Sequence, residues 1–200
     1  MLVLDVSGSM SEAVTGRTTK LELAVDAAIN ALDQFRPDDE VGLRVFSTAF
    51  SDPTKAVDGE VDWQDVVPVG PMSQNRTLIE NALAAQSPTY GTALYDTTAD
   101  SVEAMRETYA DDRINAVVLL TDGRNETGGV GRTESEMLDE IDASDEINNR
   151  TPIRVFPIAY GEDADMAALT QIADATDAAV YSASDPESVR EVFDAVISNF

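Results

Sequence analysis

Five oxygen-bearing side chains stand out by type and place. In "LVLDVSGSM" an apolar run leads straight into Asp5, and Ser7 and Ser9 follow. Thr92 comes after Gly91 in "SPTYGTALYDTT", and Asp122 sits between Thr121 and Gly123 at the end of "INAVVLLTDG". Two carboxylates and three hydroxyls, with no nitrogen or sulfur donor, are hard ligands suited to Mg²⁺, with Mn²⁺ or Ca²⁺ as alternatives. Two carboxylates would neutralise a divalent ion and leave little local charge to hold a further anion. The ion would still need water or an external oxygen to fill its shell. Gly8, Gly91 and Gly123 lie beside these donors, where the backbone can turn tightly.

What the chain lacks narrows the chemistry. It has no cysteine and no histidine. Disulfides, thiolate zinc sites, cysteine nucleophiles and the usual general base of a serine hydrolase are therefore excluded. No G-x-x-x-x-G-K-[ST] segment occurs, so any ATPase activity would belong to another chain or domain. The net charge is -25, from 38 acidic and 13 basic residues, and only Lys20 and Lys55 are lysines. Such a surface repels nucleic acid and anionic membranes. The acidic residues are dispersed, as on a solvated acidic surface. No apolar run approaches the ~20 residues of a membrane span.

These donors need a scaffold. Two hundred residues, 43% of them hydrophobic, suit one domain with a substantial core. The chain starts abruptly at the edge of a strand, which leads us to expect a single domain over 1–200, excised from a longer parent. Strands are expected at 2–5, over "EVGLRVFS", at 65–69, over 114–123, over "IRVFPIAYG" and over "AAVYS". Pro68 places the 65–69 strand at an edge, and its short connection to the preceding strand implies antiparallel pairing. The continuous apolar run before Asp122 reads as a central parallel strand buried on both faces.

Helices are expected from about Thr19, where Thr19 and Glu22 are spaced as a capping box, and over about 74–86. Others should follow Thr92, start near Thr133 with Glu136 as its capping glutamate, cover 164–175, and begin at Asp185–Pro186. Strands alternating with helices imply an α/β fold, a mostly parallel sheet covered on both faces. In such sheets ligands bind at the carboxyl ends of the strands near the topological switch point, and there the three donor segments should meet.

"LVLDVSGSM", "GTALYDT" and "VVLLTDG" resemble the three ligand loops of the von Willebrand factor type A domain. The likeness runs in order through the whole chain, and "DDEVGLRVFS" resembles the family's second strand. It implies the three-layer Rossmann-like fold of that family. It also implies a metal-ion-dependent adhesion site, with Asp5, Ser7 and Ser9 as its D-x-S-x-S motif, Thr92 as its threonine and Asp122 as its last aspartate. In the family the hydroxyls contact the metal directly, and the aspartates do so directly or through water. One departure is Tyr90-Gly91, where the family often has two glycines. Tyr90 either lines the rim or packs under the loop, and packing is the expectation here.

The function implied is divalent-cation-dependent binding of a protein whose Asp or Glu completes the coordination, as in adhesion or complex assembly. No catalysis, nucleic-acid binding or membrane insertion by this segment is expected, and the isolated domain should be monomeric. An alternative is an intracellular regulatory subunit of an ATPase or chelatase-type machine. A Mg²⁺-dependent hydrolase is a further alternative, weakened because Ser7 stands where related phosphohydrolases place a second aspartate. Adhesion favours an extracytoplasmic or cell-surface place through the parent protein, and the machine subunit a cytoplasmic one. The sequons at Asn75, Asn125 and Asn149 read as ordinary polar positions, and Trp63 as a packing residue. The loop "RNETGGVGR" after Asp122 reads equally as a plain connection or as a selector of partners.

Overall fold

The computed structural model describes residues 1–51, 60–145, 148–183, 185 and 188–197. The first strand, β1 (Leu2–Asp5), is followed by a 3₁₀ turn at Gly8–Ser11. A small antiparallel ribbon, β2 (Ala13–Thr15) and β3 (Thr18–Thr19), then leads into α1 (Lys20–Ala31). After it come β4 (Glu40–Ser51), β5 (Glu60–Pro71), α2 (Met72–Ala84) and α3 (Leu94–Glu107). The second half runs β6 (Ala116–Thr121), α4 (Glu134–Ile141), β7 (Arg154–Tyr160), α5 (Met166–Ala175), β8 (Tyr181–Ala183) and α6 (Val189–Ile197). Pro186, expected in the first turn of the last helix, lies outside the described residues.

Among the described residues the main sheet has the order β5-β4-β1-β6-β7-β8. Every neighbouring pair is parallel except β4 with β5. This is the expected α/β architecture: a mostly parallel sheet, one antiparallel edge and helices on both faces. The chain steps outward from β1 to β4 and β5, then returns to the other side of β1 as β6. The switch point therefore lies between β1 and β6, where parallel α/β sheets place ligands.

Strand alternation assigns the core to two layers. Leu2, Leu4, Val118, Leu120, Phe156 and Ile158 pack on the face covered by α1, α2 and α6. Val3, Val117, Leu119, Val155 and Ala159 pack on the face covered by α3, α4 and α5. The helix starts follow local chemistry. Thr19 Oγ1 accepts from the Glu22 amide, while Glu22 accepts from the Thr19 amide, and Thr133 with Glu136 repeats the arrangement.

The edge strand departs from expectation. Instead of a short segment at 65–69, β5 runs for 12 residues and pairs along the whole of β4. Asp62 and Asp65 hide it in the sequence, yet an outer strand tolerates such charges because one edge faces solvent. Pro68 does sit on this outer strand. The β2–β3 ribbon is an element beyond those expected, and the last strand lies at Tyr181–Ala183 rather than over "AAVYS".

Candidate metal centre

Parallel pairing of β1 with β6 aligns Leu4 with Leu120, which sets Asp5 beside Thr121 at the carboxyl edge. Asp5 is fully buried, and both of its oxygens have partners. Oδ1 accepts the Ser7 amide at 2.8 Å and Oδ2 accepts the Thr121 hydroxyl at 2.5 Å. Burial pushes the Asp5 carboxyl up to about 7; the hydrogen bonds from Thr121 and Ser7 pull it down, and the nearby Asp122 charge adds to the rise.

The hydroxyls form a short chain ending on the second carboxylate. Ser9 Oγ donates to Asp122 Oδ1 at 2.6 Å, and Ser7 Oγ lies 3.1 Å from Ser9 Oγ. Since Ser9 spends its one proton on Asp122, Ser7 is the donor of the pair. Asp5, Ser7, Thr92 and Asp122 are buried, while Ser9 is exposed and opens the cluster to solvent.

Thr92 comes in on a separately braced loop. Gly91 N–H donates to Thr48 Oγ1 and Ser47 Oγ donates to the Gly91 carbonyl, each at 2.8 Å, so the end of β4 holds this turn. Thr92 and Glu126 exchange backbone hydrogen bonds, which ties the loop after Asp122 to the same point. A Cβ on Gly123 would lie 3.2 Å from Thr92 Oγ1 and 3.9 Å from Ser9 Oγ, so both hydroxyls face the space that this glycine leaves. All five residues singled out in the sequence are thus brought to one place.

The donor set fits a small hard cation. Oxygens coordinated octahedrally at about 2.0–2.1 Å stand about 3 Å apart along each edge. The Ser7–Ser9 and Ser9–Asp122 separations, 3.1 and 2.6 Å, are of that size. Among the described residues no group of three or more acidic side chains gathers as a metal cluster.

Sequence reasoning missed three residues. Thr121 holds Asp5, as above. Lys20 donates to Asp122 Oδ2 at 3.0 Å and pairs with Glu12 at 2.6 Å. Burial works against the Lys20 charge, but its bonds to Glu12 and Asp122 outweigh that and hold its pKa above the usual lysine value. A signal was present: Lys20, one of two lysines in an acidic chain, opens a helix, where the dipole disfavours a cation.

Other expectations resolve plainly. Tyr90 does not pack under its loop; it is 74% exposed at the rim, and its carbonyl accepts the Gly8 amide. Trp63 is a packing residue: the Arg44 guanidinium lies 3.6 Å from its ring centre, and its Nε1 donates to Asp100. Asn75 is buried and donates to the carbonyls of Val41 and Pro68, and Asn125 accepts the Tyr95 amide. No described helix is long and apolar enough to cross a membrane.

Solved structures share the fold. The von Willebrand factor type A protein from Catenulispora acidiphila superposes with a TM-score of 0.73 at 24% identity, over 98% of this chain and 41% of that one. The pilus adhesin SpaC from Lactobacillus rhamnosus GG gives 0.70 at 16% identity, over 99% of this chain and 30% of that one. Proximal thread matrix protein 1 from the mussel byssus, with a zinc-occupied MIDAS motif, gives 0.61 at 15% identity, over 98% of this chain and 44% of that one. This chain thus spans less than half the length of these three structures. No curated protein matches the sequence significantly. The family model described as von Willebrand factor type A domain matches residues 1–195, and the chain belongs to that family.

Proposed function

We propose that this chain is a divalent-cation-dependent protein-binding module. Asp5, Ser7, Ser9, Thr92 and Asp122 would hold the ion, with Mg²⁺ the first choice and Mn²⁺ or Ca²⁺ as alternatives. A bound ion would supply a Lewis-acid centre for a partner's Asp or Glu carboxylate. The carrying observation is the all-oxygen cluster at the β1–β6 switch point, with Ser9 linking Ser7 to Asp122 and Thr92 facing the same space across Gly123. Within it the roles divide. Asp122 and the three hydroxyls would offer oxygens to the ion, while Asp5, whose oxygens fix the Ser7 turn and the end of β6 through Thr121, would reach it through water. Tyr90, exposed and with its carbonyl bonded to Gly8, would meet the partner's surface beside its carboxylate.

The von Willebrand factor type A family is typically one of interaction modules, and this reading assigns the chain no catalysis. On this reading the isolated domain is a monomer, and the adhesion role would favour an extracytoplasmic or cell-surface place through the parent protein. Isothermal titration with Mg²⁺ should give roughly one ion per chain, lost in Asp5→Ala and strongly weakened in Asp122→Ala. A salt series separates diffuse binding to the acidic surface, which is screened, from the site. Parent-like binding by both variants would sink the site assignment. Metal-dependent turnover of a phosphate ester that disappears in Asp5→Ala would make the chain a hydrolase instead.

A further inference from the structure

Two carboxylates and a divalent ion sum to zero, which would leave a partner's carboxylate with little to bind. Lys20 changes that sum. Its side chain is buried, and its ammonium is fixed 3.0 Å from Asp122 Oδ2, on the oxygen opposite the one that Ser9 engages. The residue is anchored at several points. The Tyr160 hydroxyl donates to its carbonyl at 3.0 Å, its amide donates to the Glu12 carbonyl at 2.9 Å, and a Cβ on Gly161 would lie 3.5 Å from its Cε. The Glu12 carboxylate also pairs with it, but that side chain is 62% exposed and its charge is screened by solvent.

We propose that Lys20 is a built-in counter-charge that reserves the site for anionic partners; this deepens the proposed function and rests on it. With Asp5 ionised by the bound ion, Asp5, Asp122 and Lys20 together carry a net charge of -1. A divalent ion in the cluster therefore leaves +1 rather than zero, and one partner carboxylate closes the balance. Lys20 acts through Asp122 and touches no ligand itself, so it is a positioning residue. It weakens the hold on the cation and strengthens the hold on the anion. A purely structural lysine would not move these two affinities in opposite directions.

The test uses the intact chain loaded with Mn²⁺, with acetate as probe. Acetate that displaces metal-bound water lowers the water-proton relaxation enhancement, and its midpoint gives an affinity. Lys20→Met is expected to bind Mn²⁺ at least about tenfold more tightly and acetate about tenfold more weakly, the scale set by one charge within a few ångströms of a site that Ser9 opens to solvent. Glu12→Gln, an exposed change that tests the charge even if Lys20→Met does not fold, should shift both constants the other way, by about two- to threefold. Constants that stay at parent values, or that move in the same direction, overturn the role of Lys20 while leaving the metal-site reading intact. A parent that binds Mn²⁺ but shows no acetate response refutes the carboxylate-partner reading, and this inference with it.

Discussion

Replacing Gly123 by alanine should separate the ion site from the stability of the fold. The new Cβ would lie 3.2 Å from Thr92 Oγ1, inside the 3.4 Å at which ordinary contact begins, so the hydroxyl must retreat by a few tenths of an ångström. Metal–oxygen distances hold within about 0.2 Å, and a shift of that size takes one donor out of range. By analogy with outer-shell losses, the expected weakening is on the order of 10–100-fold in Mg²⁺ affinity. The fold should hardly notice. Gly123 does not lie at positive φ, and the contact falls on the end of a side chain. Restricting the unfolded chain returns about 0.4–1 kcal/mol, which offsets most of the crowding.

Gly91→Ala is the contrast. Its Cβ would come within 2.5 Å of the Glu126 carbonyl, which is backbone and paired with Thr92. Overpacking of that kind costs about 1–3 kcal/mol. In a chain of this size each kcal/mol lowers Tm by about 2–4 °C. Calorimetric titration and thermal melts in EDTA on both variants are the assay. Parent-like Mg²⁺ affinity in Gly123→Ala would refute the geometric argument, as would a Tm loss matching that of Gly91→Ala.

Asp5→Asn should stabilise the metal-free protein in a pH-dependent way. Burial lifts the Asp5 carboxyl to about 7, so the folded state keeps a proton that the unfolded chain releases near pH 4. Its contribution favours the fold below that range and is lost as pH rises through about 7. In EDTA the Tm gap between variant and parent should widen from about pH 5 to 7 and stay level above; a gap constant with pH would contradict the burial argument. Asp65→Ala should cost about 3 kcal/mol in chemical denaturation, because it strands the buried Arg44 guanidinium that Asp65 binds through two hydrogen bonds. A cost under about 1 kcal/mol would mean that Ser101 and Trp63 satisfy Arg44 unaided.

Features set by short-range chemistry were legible before any contact between distant residues was known. The continuous apolar runs of β1 and β6 announce strands buried on both faces, since no polar alternation marks a wet side. Thr19 with Glu22 and Thr133 with Glu136 announce helix starts, because each cap closes within four residues. Pro68 marks an edge, because it has no amide to donate. The five oxygen-bearing residues that the structure brings together were legible by residue type and by their place, four after strand ends and Thr92 in the loop before a helix.

Tertiary structure decided what depends on neighbours far along the chain. Only the parallel register of β1 on β6 puts Thr121 against Asp5, 116 positions away. Only the turn from the β2–β3 ribbon into α1 carries Lys20 onto Asp122, 102 positions away. The charge balance of the site, and with it the ligand it prefers, follows from that meeting. In the sequence Lys20 has no assigned partner; the packing of a helix start against a strand end supplies one.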